Sequence, residues 1–284
     1  MRTFYFANYR LQMDDAVADR INCPLAEFTG VMDATHTLTV RAGDPRETEG
    51  LCRTLAKEKP ACVSERFTVY RQKDGWAFLT PGTGCAAQTL LVCTPDYGEI
   101  TLYTAPDGPI PFMHTVRPAC ETAIPLRGGL PLHAALVEYD GMGVLFLARS
   151  GVGKSTQALL WQKELGAKFL IGDRPTLRKL DGEWIGFSMP WDGKDNRRSQ
   201  SRTRIRAIVT LAQADHNAIR RLTVGEATAA LLKQAFLPLW DENATNACLA
   251  QMNELAREIP FWYLENTADA ESVRLTLNAI TEGR

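Results

Sequence analysis

The sequence predicts an α/β protein, with an α/β core over residues 123–284 and an N-terminal α+β, β-rich region over residues 1–122. Three observations carry that prediction. From Leu132 onward, apolar strands alternate with loops and helices, as in an α/β core. A glycine-rich loop, Ser150-Gly151-Val152-Gly153-Lys154-Ser155-Thr156, falls between an apolar strand and a helix. Before Leu132, short β segments are separated by turn residues, and helical signal is modest. The 284 residues suffice for one large or two modest domains with a real hydrophobic core.

In the first region Thr37–Arg41 and Arg66–Arg71 alternate, and Asp74-Gly75 turns the latter into Trp76–Thr80. Gln88–Cys93 and Glu99–Thr104 read as two more strands, separated by Pro95-Asp96-Tyr97-Gly98. Glu47–Lys59 is the best helix candidate, and nothing in this region carries visible chemistry.

The character changes near Pro118–Gly129. Leu132–Tyr139 and Val144–Ala148 read as strands joined by the turn Asp140–Gly143, and Lys154–Leu165 has helical periodicity. Lys168–Ile171 is a strand, and Thr176–Leu180 and Glu183–Phe187 flank Asp181-Gly182, a hairpin signal. Ile205–Leu211 and Phe261–Leu264 are further strands; Gly225–Phe236, Glu242–Ile259 and Ala268–Thr281 are helices. The run from Asn217 to Ala227 opens a helix, with Thr223 and Glu226 at capping-box spacing.

Charge narrows the partners. With 32 Lys+Arg against 33 Asp+Glu, no global field draws nucleic acid or an anionic membrane, and neither is expected as a partner. Met1–Arg10 lacks the long apolar run of a signal peptide, and no stretch approaches the roughly 18 apolar residues of a membrane span. The cysteines (Cys23, Cys52, Cys62, Cys85, Cys93, Cys120 and Cys248) are odd in number, scattered and without a C-x-x-C pair. Reduced thiols in a cytoplasmic protein are the expectation.

The loop is the most informative stretch. A triphosphate needs many donors at close range, and side chains alone would crowd it. Glycines at 151 and 153 let successive backbone N–H groups turn inward, and a helix opening at Lys154 adds its unpaired N–H groups. Lys154 is placed to reach the β- and γ-phosphates, and the Ser155 hydroxyl to bind Mg²⁺. Ser150–Thr156 are therefore the candidate nucleotide-binding residues, with ATP and Mg²⁺ as expected cofactors. The pattern G-x-x-x-x-G-K-[ST] asks for glycine where this chain has Ala148, a cheap replacement provided φ stays negative.

Asp173 ends the strand that follows the loop's helix, so a carboxylate is delivered beside the phosphate site. It fits either a base that takes a hydroxyl proton or a metal ligand. Between Pro190 and Arg204 turn residues mix with Asp192, Asp195 and five basic residues. Asp192 or Asp195 is the candidate second metal ligand, Asp192 the better placed because Trp191 beside it would help fix it, and the cations here are candidates to clamp a phosphoryl group. His36, His114 and His216 stand alone and read as structural or surface residues, and Trp161 reads as core.

Leu132-His133-Ala134-Ala135-Leu136-Val137, then Gly141–Leu147, the loop Ser150–Thr156 and Phe169–Arg174 together resemble the catalytic domain of bacterial HPr kinase/phosphorylase and its relatives. The likeness runs from Pro131 onward and is strongest over 131–175. It implies a P-loop core of the phosphoenolpyruvate-carboxykinase type and phosphoryl transfer to a serine hydroxyl. It also implies a catalytic set of His133, Lys154 and Asp173, with Asp173 in the position of the family's proton acceptor and His133 in that of its active-site histidine. Gly172 stands where relatives often carry a second acidic residue, which weakens a two-carboxylate metal site and a reverse, phosphorylase reaction. The expected acceptor is a protein, peptide or small-molecule hydroxyl, and family analogy points to homo-oligomers. A nucleotide-gated switch or ATPase, and a pseudokinase motivated by Ala148 and Gly172, are the competing readings.

Overall fold

The computed structural model describes residues 1–23, 25–82, 87–191 and 199–282. They form two compact units, Met1–Arg127 with Leu237–Thr245, and Gly128–Phe236 with Asn246–Arg284.

The first unit is built on a mixed sheet of β1 (Arg2–Phe6), β2 (Tyr9–Met13), β3 (His36–Ala42), β4 (Cys62–Val63), β5 (Thr68–Gln72), β6 (Gly75–Thr80), β7 (Thr89–Cys93) and β8 (Glu99–Thr104). The order is β1-β2-β3-β8-β7-β6-β5-β4, with β2–β3 and β3–β8 parallel. Three helices accompany it, α1 (Asp15–Ala18), α2 (Thr48–Leu55) and α3 (Val116–Ala123). Cys52 and Leu55 of α2 pack on Tyr70, Ala77 and Leu90. This helix stops short of the expected Lys59, in keeping with Pro60, which disfavours helical backbone just before it. Leu237–Thr245 joins the unit through Trp240, which lies edge-on to Phe67 and Phe78, and through Asp241, which accepts a 2.9 Å bond from the Tyr97 hydroxyl.

The β1–β2 hairpin and α3 were not foreseen. Ala7 (φ 47°) and Asn8 (φ 62°) make the left-handed turn of the hairpin without any glycine to signal it. Every residue of α3 is buried, including the charged Arg117 and Glu121, and Pro118 stands in its first turn, so its polar residues do not mark a solvent face.

The second unit contains β9 (Gly129–Pro131), β10 (Ala134–Tyr139), β11 (Met142–Leu147), β12 (Lys168–Ile171), β13 (Thr176–Leu180), β14 (Glu183–Phe187), β15 (Arg202–Gln213), β16 (Ala218–Arg221) and β17 (Phe261–Asn266). They run β12-β10-β11-β15-β14-β13-β9, and β17 pairs with both β15 and β16. Only β11–β15 and β15–β17 are parallel, so the expected α/β core is a mixed sheet with large antiparallel parts. The helices are α4 (Lys154–Leu165), α5 (Val224–Leu232), α6 (Glu242–Glu258) and α7 (Ala270–Glu282).

One sheet face, including Val137, Val144, Phe146, Val209 and Leu264, buries Ala158 and Trp161 of α4 with Val273 and Ile280 of α7. Residues 218–221 are a strand rather than the start of a helix. The helix begins at Val224, where Thr223 and Glu226 form the capping box their spacing predicts. It ends at Leu232 rather than Phe236, and Ala235 instead bridges to Leu132. Among the described residues no helix is long and apolar enough to cross a membrane.

Trp161 is fully buried, with ring centroids 5.7 Å from Phe146 and 6.4 Å from Tyr139. Replacing it with alanine should cost about 3–5 kcal/mol in urea unfolding. Trp161→Phe should cost distinctly less, because a ring still fills much of the site and the indole N–H that is lost has no hydrogen-bond partner among the described residues.

Candidate functional site

β11 and β12 both run antiparallel to β10, so their C-terminal ends and the start of β10 lie at one end of the sheet. The glycine loop leaves the end of β11, Asp173 follows β12, and His133 precedes β10.

The loop turns where the glycines stand. Gly151 has φ 83° and Gly153 φ 118°, a conformation that disfavours any side chain. Gly153 is the N-cap of α4 and no side chain caps that helix, which leaves its N-terminus open to another hydrogen-bond acceptor. Ala148 is buried in the core and lies outside the left-handed region, which explains why this position tolerates a methyl group. Lys154 is also buried, and its Nζ donates to the carbonyls of Ala148 at 2.9 Å and Arg149 at 3.5 Å. Ser150, Gly151 and Thr156 are exposed; Val152 and Ser155 are half-buried.

His133 is fixed from both sides. Its N–H donates to the Gln234 carbonyl at 2.8 Å, and the preceding Leu132 N–H donates to Pro175 at 3.1 Å. The ring Nδ1 lies 3.1 Å from Gln234 Oε1, which makes Nδ1 the protonated nitrogen and leaves Nε2 directed at Asp173, 3.7 Å from Oδ1. Asp173 Oδ1 is enclosed and has no hydrogen-bond partner among the described residues. Arg174, next along the chain, has φ 55°, a strained backbone for a long side chain in the turn that presents the carboxylate. Gln234 was missed from sequence.

Electrostatics tie these groups together. Burial lowers the His133 pKa below 6.5, the charges of Lys154 and Arg174 lower it further, and Asp173 and the Gln234 bond oppose the shift. Burial likewise lowers the basicity of Lys154, against the attraction of Asp173. His133 is therefore a neutral imidazole near pH 7.

Asp192, expected as a metal ligand, lies outside the described residues together with Lys194, Asp195, Arg197 and Arg198; Trp191 beside it is buried. Among the described residues no group of three or more His, Cys, Asp or Glu side chains is arranged to hold a metal. A kinase Mg²⁺ asks for less, taking one or two protein oxygens and completing its shell with phosphates and water. Ser155 and Asp173, whose Oδ1 lacks a hydrogen-bond partner among the described residues, carry oxygens of that type. Of the other residues read from sequence, Arg220 pairs with Glu226 at 2.8 Å, and exposed His216 pairs with Asp215 at 2.9 Å.

No family model and no curated protein matches the chain. A solved structure of the HPr(Ser) kinase/phosphatase from Coxiella burnetii is similar at a TM-score of 0.34 and 14% identity, over 54% of this chain and 97% of that one.

In the metal-free protein the His133 ring should titrate below pH 6.5. Lys154→Met should raise the midpoint, since it removes a positive charge that opposes ring protonation. Asp173→Asn should lower it by removing a negative charge that favours protonation. NMR titration of the imidazole resonances checks both signs.

Proposed function

We propose that this chain is an ATP- and Mg²⁺-dependent kinase that transfers the γ-phosphoryl group to a hydroxyl of a protein, peptide or small molecule. The observation that carries the reading is the approach of Asp173 to His133, 3.7 Å apart, at the sheet end that also bears the Lys154 loop. The backbone of 150–155 and Lys154 would hold the triphosphate, and Ser155 and Asp173 the metal. Bound there, Mg²⁺ would neutralise charge on the β- and γ-phosphates.

The acceptor oxygen forms a bond to the γ-phosphorus as the bond to the ADP oxygen breaks. ADP leaves with that electron pair, and the acceptor's proton passes to the Asp173 carboxylate. A metal contact needs only one of the two carboxylate oxygens, which leaves the other for the proton. His133, neutral and anchored at Nδ1, can accept a hydrogen bond at Nε2 once Asp173 is protonated, which favours the carboxyl group after it has taken the proton. Contacts of this kind tighten in the assembled complex, so 3.7 Å in the free protein is compatible with the role. The buried Ala148 supports an intact loop over a decayed one.

Transfer of labelled γ-phosphoryl from ATP across a panel of hydroxyl acceptors tests the reading. Asp173→Asn should lower kcat by about 10²–10⁴ with ATP affinity largely kept, whereas Lys154→Ala should weaken ATP binding in calorimetry. Undiminished transfer by Asp173→Asn would remove the carboxylate from the mechanism. Tight ATP binding without turnover on any acceptor would favour a nucleotide-binding protein without kinase activity.

A further inference from the structure

On the sheet face opposite α4, a cavity of about 240 Å³ opens beside the site just described. Its floor is one register row across four strands: Leu147 opposite Thr210, Thr210 opposite Tyr263, and Tyr263 opposite Arg220. Leu147 is the last residue of β11, so this row lies at the C-terminal ends of the parallel strands, where open α/β sheets bind ligands. The roof is one face of α5, on which Ala229 and Ala230 leave the space open and Lys233 stands at the end.

Three features describe the occupant. The volume equals that of about eight waters, room for a molecule the size of an amino acid. Thr210 Oγ1 is enclosed and has no hydrogen-bond partner among the described residues, so a polar group is missing from the floor. Charge at the wall is unbalanced: Arg220 is matched by Glu226 at 2.8 Å, whereas Lys233 has no ion-pair partner among the described residues. One surplus positive charge suits a monoanion, a carboxylate in preference to a doubly charged phosphate.

Gln234 connects the cavity to the chemistry. Gln234 lines the cavity, its side chain holds His133 Nδ1 at 3.1 Å, and His133 faces Asp173. We propose that the cavity is the acceptor pocket and that the acceptor is a small hydroxyl compound bearing one carboxylate. The carboxylate sits at Lys233, and the hydroxyl extends past Gln234 toward Asp173. The acceptor role rests on the kinase reading above; binding in the cavity does not.

The test offers L-serine, L-homoserine, D-glycerate, a serine-containing peptide and glycerol as acceptors with ATP and Mg²⁺. Binding of the same compounds is followed separately by NMR of the protein. Phosphorylation of a hydroxy monocarboxylate but not of glycerol is expected. Lys233→Gln should raise its KM about 10- to 100-fold with kcat little changed, the loss of one charged hydrogen bond. Ala230→Phe, which fills the cavity, should abolish transfer without changing ATP affinity. Transfer to the peptide or to glycerol that survives both substitutions overturns the pocket and leaves the kinase reading standing. Binding of a monocarboxylate that is lost in both variants, with no transfer to any acceptor, supports the pocket and sinks the kinase reading. Absence of binding by every monocarboxylate overturns the proposal.

Discussion

Two backbone hydrogen bonds on adjacent residues hold the candidate site together. Leu132 donates to Pro175 and His133 donates to Gln234, so a two-residue stretch is clamped between the turn after β12 and the chain leaving α5. Because backbone donors in this setting are rarely left unpaired, the clamp is stiff. It brings three segments distant in sequence to one sheet end and aims the His133 ring by fixing its main chain first. The side-chain contact to Gln234 then fixes the ring so that Nε2 meets Asp173, and the tautomer it selects decides whether that nitrogen donates or accepts.

Lys154 is prepared in a similar way. Its ammonium is already out of water, resting on the carbonyl oxygens of Ala148 and Arg149. A group that has given up its hydration in the free protein loses little more when phosphate oxygens replace carbonyl oxygens. The desolvation was met during folding, by the core that buries Ala148 on one side of the loop and Trp161 beneath the helix. Stability of the α4–α7 layer and readiness of the loop are thus one property.

Local patterns made much of this legible. Asp181-Gly182 announced a hairpin because both residues adopt positive φ, and Gly151 and Gly153 announced the loop for the same reason. The start of α4 and the capping box at Thr223 follow from residues at fixed spacing. Where local chemistry was silent, the reading failed. Ala7 and Asn8 make a glycine turn without glycine, and α3 carries Pro118 in its first turn and buries the charged Arg117 and Glu121. Ala218–Arg221 is a strand because β17 offers an edge to pair with, a fact written more than forty residues away. Gln234 lies 101 positions from His133, and no pattern in one sequence marks such a contact.

The long strand β15 has its own consequence for how the molecule comes into being. It pairs with β14 through Arg202–Arg204, with β11 through Ile205–Thr210, and with β17 through Ile208–Gln213. During synthesis β11, apolar along its whole length, must wait for some sixty residues before its parallel neighbour exists, and β15 then waits for β17. Parallel pairings closed over such distances form slowly, and the waiting edges are sticky. Until β15 emerges, β11 is paired on one side alone, by β10, and its other edge stays open. The chain's yield in a cell depends on how quickly β15 arrives.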